Sequence, residues 1–261
     1  MVSTLHGFLW GQIGRFHNDI REALVESRLP ALIEKARAED KGGKSKTALK
    51  ARAKVERLSA ALGVLPSIST FEYVDTKFSD YGEGKISHDD VIEIATYLFA
   101  HNATFRRITG LRFPYIFVDE AQDTFEGIVA GLNLVCAGIG LPLIGYFGDP
   151  WQQIYDRSAG AFSPPEGGKI ITKTENFRCS KSVIRLLNAY RRDVEQYAAG
   201  DNKAREGSVE FRLVKTEKPS ELVIGTATIR SSAHWHGWTL QSPTGAGAAA
   251  PTSCGSFSLA R

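Results

Sequence analysis

Cysteine is scarce. Cys136, Cys179 and Cys254 are odd in number and far apart in a chain of 261 residues, without the close pairs that disulfide frameworks and zinc sites use. That excludes a cystine-stapled scaffold and predicts a reducing, cytoplasmic setting. The opening Met-Val-Ser-Thr-Leu-His lacks the basic segment, apolar run and small-residue cleavage site of an export signal. Net charge is also small: +3, from 32 Lys and Arg against 29 Asp and Glu, neither points to nucleic acid nor excludes it, because phosphate binding depends on where the cations lie.

Charge disappears altogether from two stretches. Nothing between Glu126 and Asp149 is charged, a run long enough to cross a bilayer if it were one helix. Gly138, Gly140 and Pro142 interrupt it, Phe125, Ile128, Val129, Leu132 and Val135 keep helical spacing before them, and Leu143 to Phe147 read as a strand. The run therefore predicts a buried helix followed by a buried strand, with no membrane partner. From Ser231 to Ala260 there is again no Asp, Glu, Lys or Arg, while Gly, Ala, Ser, Thr and Pro abound and Trp235 and Trp238 stand without periodicity. This composition predicts disorder over 226–261, either as a flexible extension or as a non-native, out-of-frame end.

What is present reads as α/β. Leu9, Ile13, Phe16, Ile20 and Leu24 recur at helical spacing, and Pro30 follows as the pattern fades. A second helical region begins near Ala31, is broken by a polar segment over 39–47, and resumes through Leu49, Val55, Leu58 and Leu62 to stop at Gly63, which predicts a helical hairpin or insertion. Ile68 to Val74 has strand composition. Ser87-His-Asp-Asp90 reads as a capping box for a helix that buries Val91, Ile94, Ala95 and Leu98, and capping accounts for His88 and the two Asp without a metal ion.

Tyr115 to Val118 is a continuous apolar run of the kind found in parallel strands buried on both faces, and Leu143 to Phe147 repeats it after the intervening helix. Strand, helix, strand at this spacing is a βαβ unit, and Asp119 and Asp149 stand at the carboxyl ends, the edge where open α/β sheets bind ligands. A strand over Lys169 to Thr174, a helix with Val183, Leu186, Leu187 and Tyr190 on one face, and an alternating strand from Val209 to Leu213 are expected next.

The densest chemistry lies at Val118-Asp-Glu-Ala-Gln-Asp123. Adjacent acids just past a strand end supply one carboxylate to hold Mg²⁺ and a neighbour to polarise an attacking water. This segment resembles motif II, the Walker B box, of the UvrD/Rep/PcrA-type superfamily 1 DNA helicases. About thirty residues on, Gly148-Asp-Pro-Trp-Gln-Gln-Ile-Tyr155 resembles motif III, Glu175-Asn-Phe-Arg-Cys-Ser180 is similar to motif IV, and Val2-Ser-Thr-Leu-His-Gly-Phe8 looks like motif Ib. The likeness runs from Val2 to about Val214, with its detail in these four boxes.

The resemblance implies ATP and Mg²⁺ as cofactors and single-stranded DNA as partner, with a nuclease or repair protein alongside. Carried over position by position, it makes Asp119 the metal ligand, Glu120 the general base, Gln152 and Arg178 the contacts to the γ-phosphate, and Phe177 the ring that stacks on adenine. Asp149 and Gln122 join Phe177 at the nucleotide, while Thr4, His6, Tyr155 and Arg157 fall at DNA-contacting positions. Arg157 departs from the aromatic residue that relatives carry there; a guanidinium can also stack on a base.

A second departure is larger. No G-x-x-x-x-G-K-[ST] loop occurs: Gly43-Lys44-Ser45 has Ala38 at the first glycine's place and no strand before it. Motifs V and VI are not seen either. The expectation is a helicase fragment that begins inside motif Ib, has some sheet surface uncovered and is inactive alone. It would comprise a partial RecA-like domain over 1–185 with a helical insertion at about 31–109, the start of a second over 186–225, and the tail. Two other readings stay open: a non-catalytic DNA- or partner-binding remnant, and an unrelated hydrolase using Asp119 and Glu120 as an acid–base pair.

Overall fold

The structure is a computed structural model and describes residues 1–137, 142–154 and 167–210, with the backbone of 228–231 and 234–237. The chain divides into two compact units, Met1–Ser163 and Pro164–Arg261.

The first unit opens with α1, Leu5–Ile13, and α2, His17–Ala23. The apolar period that predicts one helix through Leu24 is realised as two, and Leu9, Ile13, Ile20 and Leu24 are all fully buried. Pro30 does not end the helical run. A π-type turn at Leu24–Arg28 leads into α3, Leu29–Glu39, and Pro30 falls in its first turn, where the missing N–H costs no intrahelical bond. α3 packs against α4, Lys46–Val64, as the expected hairpin.

The strand expected over Ile68 to Val74 contracts to β1, Glu72–Tyr73, paired in parallel with β2, Lys85–Ile86. The next element, α5, His88–His101, starts at the predicted capping box, with Ser87 N–H donating to Asp90 Oδ2 at 3.0 Å. α6, Ala103–Arg112, then leads into β3, Tyr115–Val118. α7, Glu126–Cys136, and β4, Leu143–Tyr146, complete the βαβ unit, in which β3 and β4 pair in parallel from Tyr115↔Leu143 to Val118↔Tyr146.

The core gathers α1, α2, α5 and α7 around Phe99, Ile94, Ile128 and Leu132. α7 lies so close on α5 that a Cβ at Gly131 would stand 2.6 Å from Phe99 Cβ, and only glycine permits that approach. β3 is not buried on both faces as its composition predicts. Ile116 turns inward at 8% exposure, whereas Tyr115 and Phe117 are each 64% exposed, because α7 covers one side of a two-stranded ladder and leaves Tyr115, Phe117, Leu143 and Phe147 on the other. Among the described residues no helix is long and apolar enough to cross a membrane.

The second unit contains β5, Glu175–Asn176, α8, Lys181–Tyr190, and β6, Tyr197–Ala198, with β5 and β6 paired in parallel. The strand expected at Lys169 to Thr174 is absent there; pairing starts only at Glu175. Cys179, Val183 and Ile184 form a small core. β7, Ser208–Glu210, pairs antiparallel with β8, Thr228–Ser231, and β8 with β9, His234–Gly237. Those last eight backbone positions fall where composition predicts no regular structure, and the rest of 226–261 lies outside the described residues. Among the described residues helix and strand are mixed, with three small parallel pairs and one three-stranded antiparallel sheet, an arrangement compatible with an α/β fold.

Candidate functional site

At the end of β3 the chain turns sharply. Glu120 adopts φ 50° and ψ 45°, the only non-glycine residue with positive φ among those described. For an L-residue with a long side chain this region costs about 1–2 kcal/mol, so surrounding contacts must hold it. Asp119 Oδ1 accepts the Glu120 N–H at 3.0 Å. Phe147 N–H donates to Val118 O at 2.8 Å and Ala121 N–H to Phe147 O at 2.9 Å, which carries the β3–β4 ladder one step beyond the strands and brings their following loops together.

The two loops are then joined through a side chain. Gln122 is 1% exposed; its Nε2 donates to Glu120 Oε2 at 2.8 Å, and its Oε1 accepts the Asp149 N–H at 3.1 Å. Gly148 makes room for this, since a Cβ there would stand 2.3 Å from Gln122 Oε1. Asp149, itself buried, accepts the Trp151 N–H at Oδ1 and the Gln152 Nε2 at Oδ2, 3.1 and 3.2 Å away. Asp123 Oδ1 adds a further tie by accepting the Ile154 N–H at 3.0 Å. Asp119, Glu120, Gln122, Asp149 and Gln152 are thus assembled on one edge of the β3–β4 pair.

The donor atoms at this edge are carboxylate and amide oxygens, the hard set that suits Mg²⁺. Among the described residues no group of three or more His, Cys, Asp and Glu is arranged around a common metal position. A cation held here would therefore draw most of its ligands from water or phosphate, which is how Mg²⁺ is commonly bound. The residues fit that ion through one or two carboxylates. They do not supply a phosphate cradle: Gly42 and Gly43, both with positive φ, lie in the turn between α3 and α4, where Ser45 accepts the Ala48 N–H as an ordinary helix cap.

The remaining expected positions are placed as follows. Thr4 caps α1 by accepting the Gly7 N–H at 3.2 Å. His6 lies half-buried in α1, its ring edge-to-face with His88 at 4.6 Å. Burial, and then the neighbouring His88, lower its pKa and favour the neutral ring. Phe177 and Arg178 belong to the second unit, where Asn176 Oδ1 accepts the N–H groups of Arg178 and Cys179 at 3.0 and 2.9 Å and Phe177 is 66% exposed. Tyr155 and Arg157 lie outside the described residues.

Sequence reasoning places Gln122 at the nucleotide and does not find its bridge between loops. The bridge depends on residues 27 positions apart converging, and the sole signal for it is a small residue, Gly148, beside the second acidic position.

Comparison with known proteins gives a partial match. The chain matches no family model. It is similar to the Gabija protein GajB of Bacillus cereus (strain HuB5-5), 34% identical over 134 residues, which make up 49% of this chain and 19% of that protein. The chain thus spans about a fifth of the length of the curated relative that it matches.

Proposed function

We propose that this chain carries the metal- and water-handling part of a UvrD-like helicase ATPase site, within a RecA-like core whose full protein couples ATP hydrolysis to movement on single-stranded DNA. The observation that carries the reading is the joining of the Asp119–Asp123 turn to the Gly148–Gln152 loop by the buried Gln122 amide at the carboxyl edge of a parallel strand pair. The similarity to the Gabija protein GajB over 134 residues accompanies it.

In this reading Asp119 would hold the cation, which when bound would supply positive charge against that developing on the transferred phosphoryl group. Glu120 takes a proton from water at its carboxylate, oriented by the hydrogen bond that Gln122 donates to Oε2. Gln152, steadied by Asp149, faces the terminal phosphate; the resemblance assigns Phe177 to adenine, Arg178 to phosphate, and Thr4, His6, Tyr155 and Arg157 to DNA. A cytoplasmic setting and a nuclease or repair partner belong to the same proposal. With no Gly-rich lysine loop in its 261 residues, the chain by itself binds Mg²⁺ and DNA without sustained turnover.

The test is Mn²⁺ binding by electron paramagnetic resonance, alongside ATPase assays with single-stranded DNA. Asp119→Ala is expected to lower Mn²⁺ affinity at least tenfold. Unchanged affinity would remove the metal role, and multiple turnovers by the chain alone would refute its dependence on a missing phosphate grip. The absence of that grip also favours a second reading, a non-catalytic DNA- or partner-binding remnant, for which Asp119→Ala would leave DNA affinity unaltered and no Mn²⁺ would bind.

A further inference from the structure

The geometry points to Gln122 as a positioning residue that couples the acidic turn to the Gly148–Gln152 loop, so that a cation arriving at Asp119 and Glu120 is felt at the backbone of Asp149. The inference rests on the reading of that acidic pair as the metal- and water-holding groups. Gln122 has one amide and uses both ends of it: Nε2 donates to Glu120 Oε2 at 2.8 Å, and Oε1 accepts the Asp149 N–H at 3.1 Å. Asp149 Oδ2 in turn accepts Gln152 Nε2 at 3.2 Å, so an unbroken run of hydrogen bonds leads from Glu120 through Gln122 and Asp149 to Gln152.

Three features make this a link rather than a surface contact. The amide is buried at 1% exposure, where water does not compete for either end and where leaving one end unmade is costly. Glu120 stands at φ 50°, a backbone state that needs holding, and Gln122 holds its side chain two residues away. The opposite loop carries glycine at a position where a Cβ would stand 2.3 Å from Oε1. No other side chain reproduces both ends. Asn is shorter by a methylene, ionised Glu accepts but does not donate, and Met does neither.

The experiment follows amide hydrogen exchange on the full chain by NMR, with and without Mg²⁺. The Glu120 N–H, which bonds Asp119 Oδ1, reports arrival of the ion; the Asp149 N–H reports transmission. In the parent chain Mg²⁺ is expected to slow exchange at both. In Gln122→Met, exchange at Asp149 should rise roughly fivefold and no longer respond to Mg²⁺, while Glu120 still responds. Gln122→Glu keeps the acceptor and loses the donor, so Asp149 should retain its basal protection yet lose its Mg²⁺ response; this variant decides the matter if the Met variant does not fold. A full Asp149 response in Gln122→Glu overturns the coupling and leaves the acidic pair's role standing. No response at Glu120 in the parent chain overturns the metal reading, and the coupling with it.

Discussion

Arg28 Nε donates to Asp90 Oδ1 at 2.7 Å, joining the π-type turn to the first turn of α5 across 62 residues of sequence. The Asp90 side chain is fully buried and also accepts bonds from Tyr81 OH at 2.9 Å, from Ser79 Oγ, and from the N–H and hydroxyl of Ser87, both at 3.0 Å. A carboxylate this enclosed is stable only because every lone-pair direction is used.

Asp90→Ala is therefore expected to lower unfolding free energy by about 3 kcal/mol, since it leaves the partly buried Arg28 guanidinium with only Glu93 at 3.8 Å and strips the Tyr81, Ser79 and Ser87 donors of their acceptor. Urea unfolding followed by tryptophan fluorescence measures this. A loss below 1 kcal/mol would mean that water replaces the carboxylate.

The same group gives a pH dependence. Burial alone would raise its pKa, but the hydrogen bond from Ser79, the charge of Arg28 and the Ser87 N–H outweigh that and hold it below its ordinary 3.8. A depressed carboxylate contributes stability that is complete above the unfolded value and disappears as pH falls through the folded one. Stability should thus decline below about pH 4, and Asp90→Asn should show a shallower decline across that window in urea midpoints.

His6 acts in a neighbouring range. With its pKa lowered by burial and by His88, against the opposing pull of Asp89 and Asp75, the folded state resists protonation that the unfolded chain accepts. Its contribution is present above pH 6.5 and lost as pH falls through the lower folded value. His6→Gln should reduce the difference between urea midpoints at pH 7.5 and pH 5.5; an unaltered difference would remove His6 from the account.

Glu120 allows a comparison that separates backbone from side chain. Glu120→Ala and Glu120→Gly both lose the bond to Gln122, but only glycine tolerates φ 50° without strain. The Gly variant should be the more stable of the two by about 1 kcal/mol in thermal unfolding, and the reverse order would show that the turn relaxes out of the left-handed region.

At the α5–α7 contact, Gly131→Ala should destabilise by about 1–3 kcal/mol, because the new methyl meets Phe99 Cβ at 2.6 Å in a packed core. Differential scanning calorimetry would register this as a lower Tm.

Local patterns in the chain already specify a good deal. The helical period of Ile128, Val129, Leu132 and Val135 between two short apolar runs determines the β3–α7–β4 unit, because burial of one face fixes each element almost independently of its neighbours. The Ser87–Asp90 cap and the polar break between α3 and α4 are legible for the same reason: their bonds close within a few residues. Pro30 and the Ile68 to Val74 run mislead, because a π-type turn and a two-residue pairing depend on what packs beside them. Tertiary structure alone decides that β3 buries a single face, that Glu120 turns left-handed, and that one buried amide ties Glu120 to Asp149. Each is a consequence of segments distant in sequence meeting at van der Waals or hydrogen-bond range, and no local periodicity encodes such a meeting.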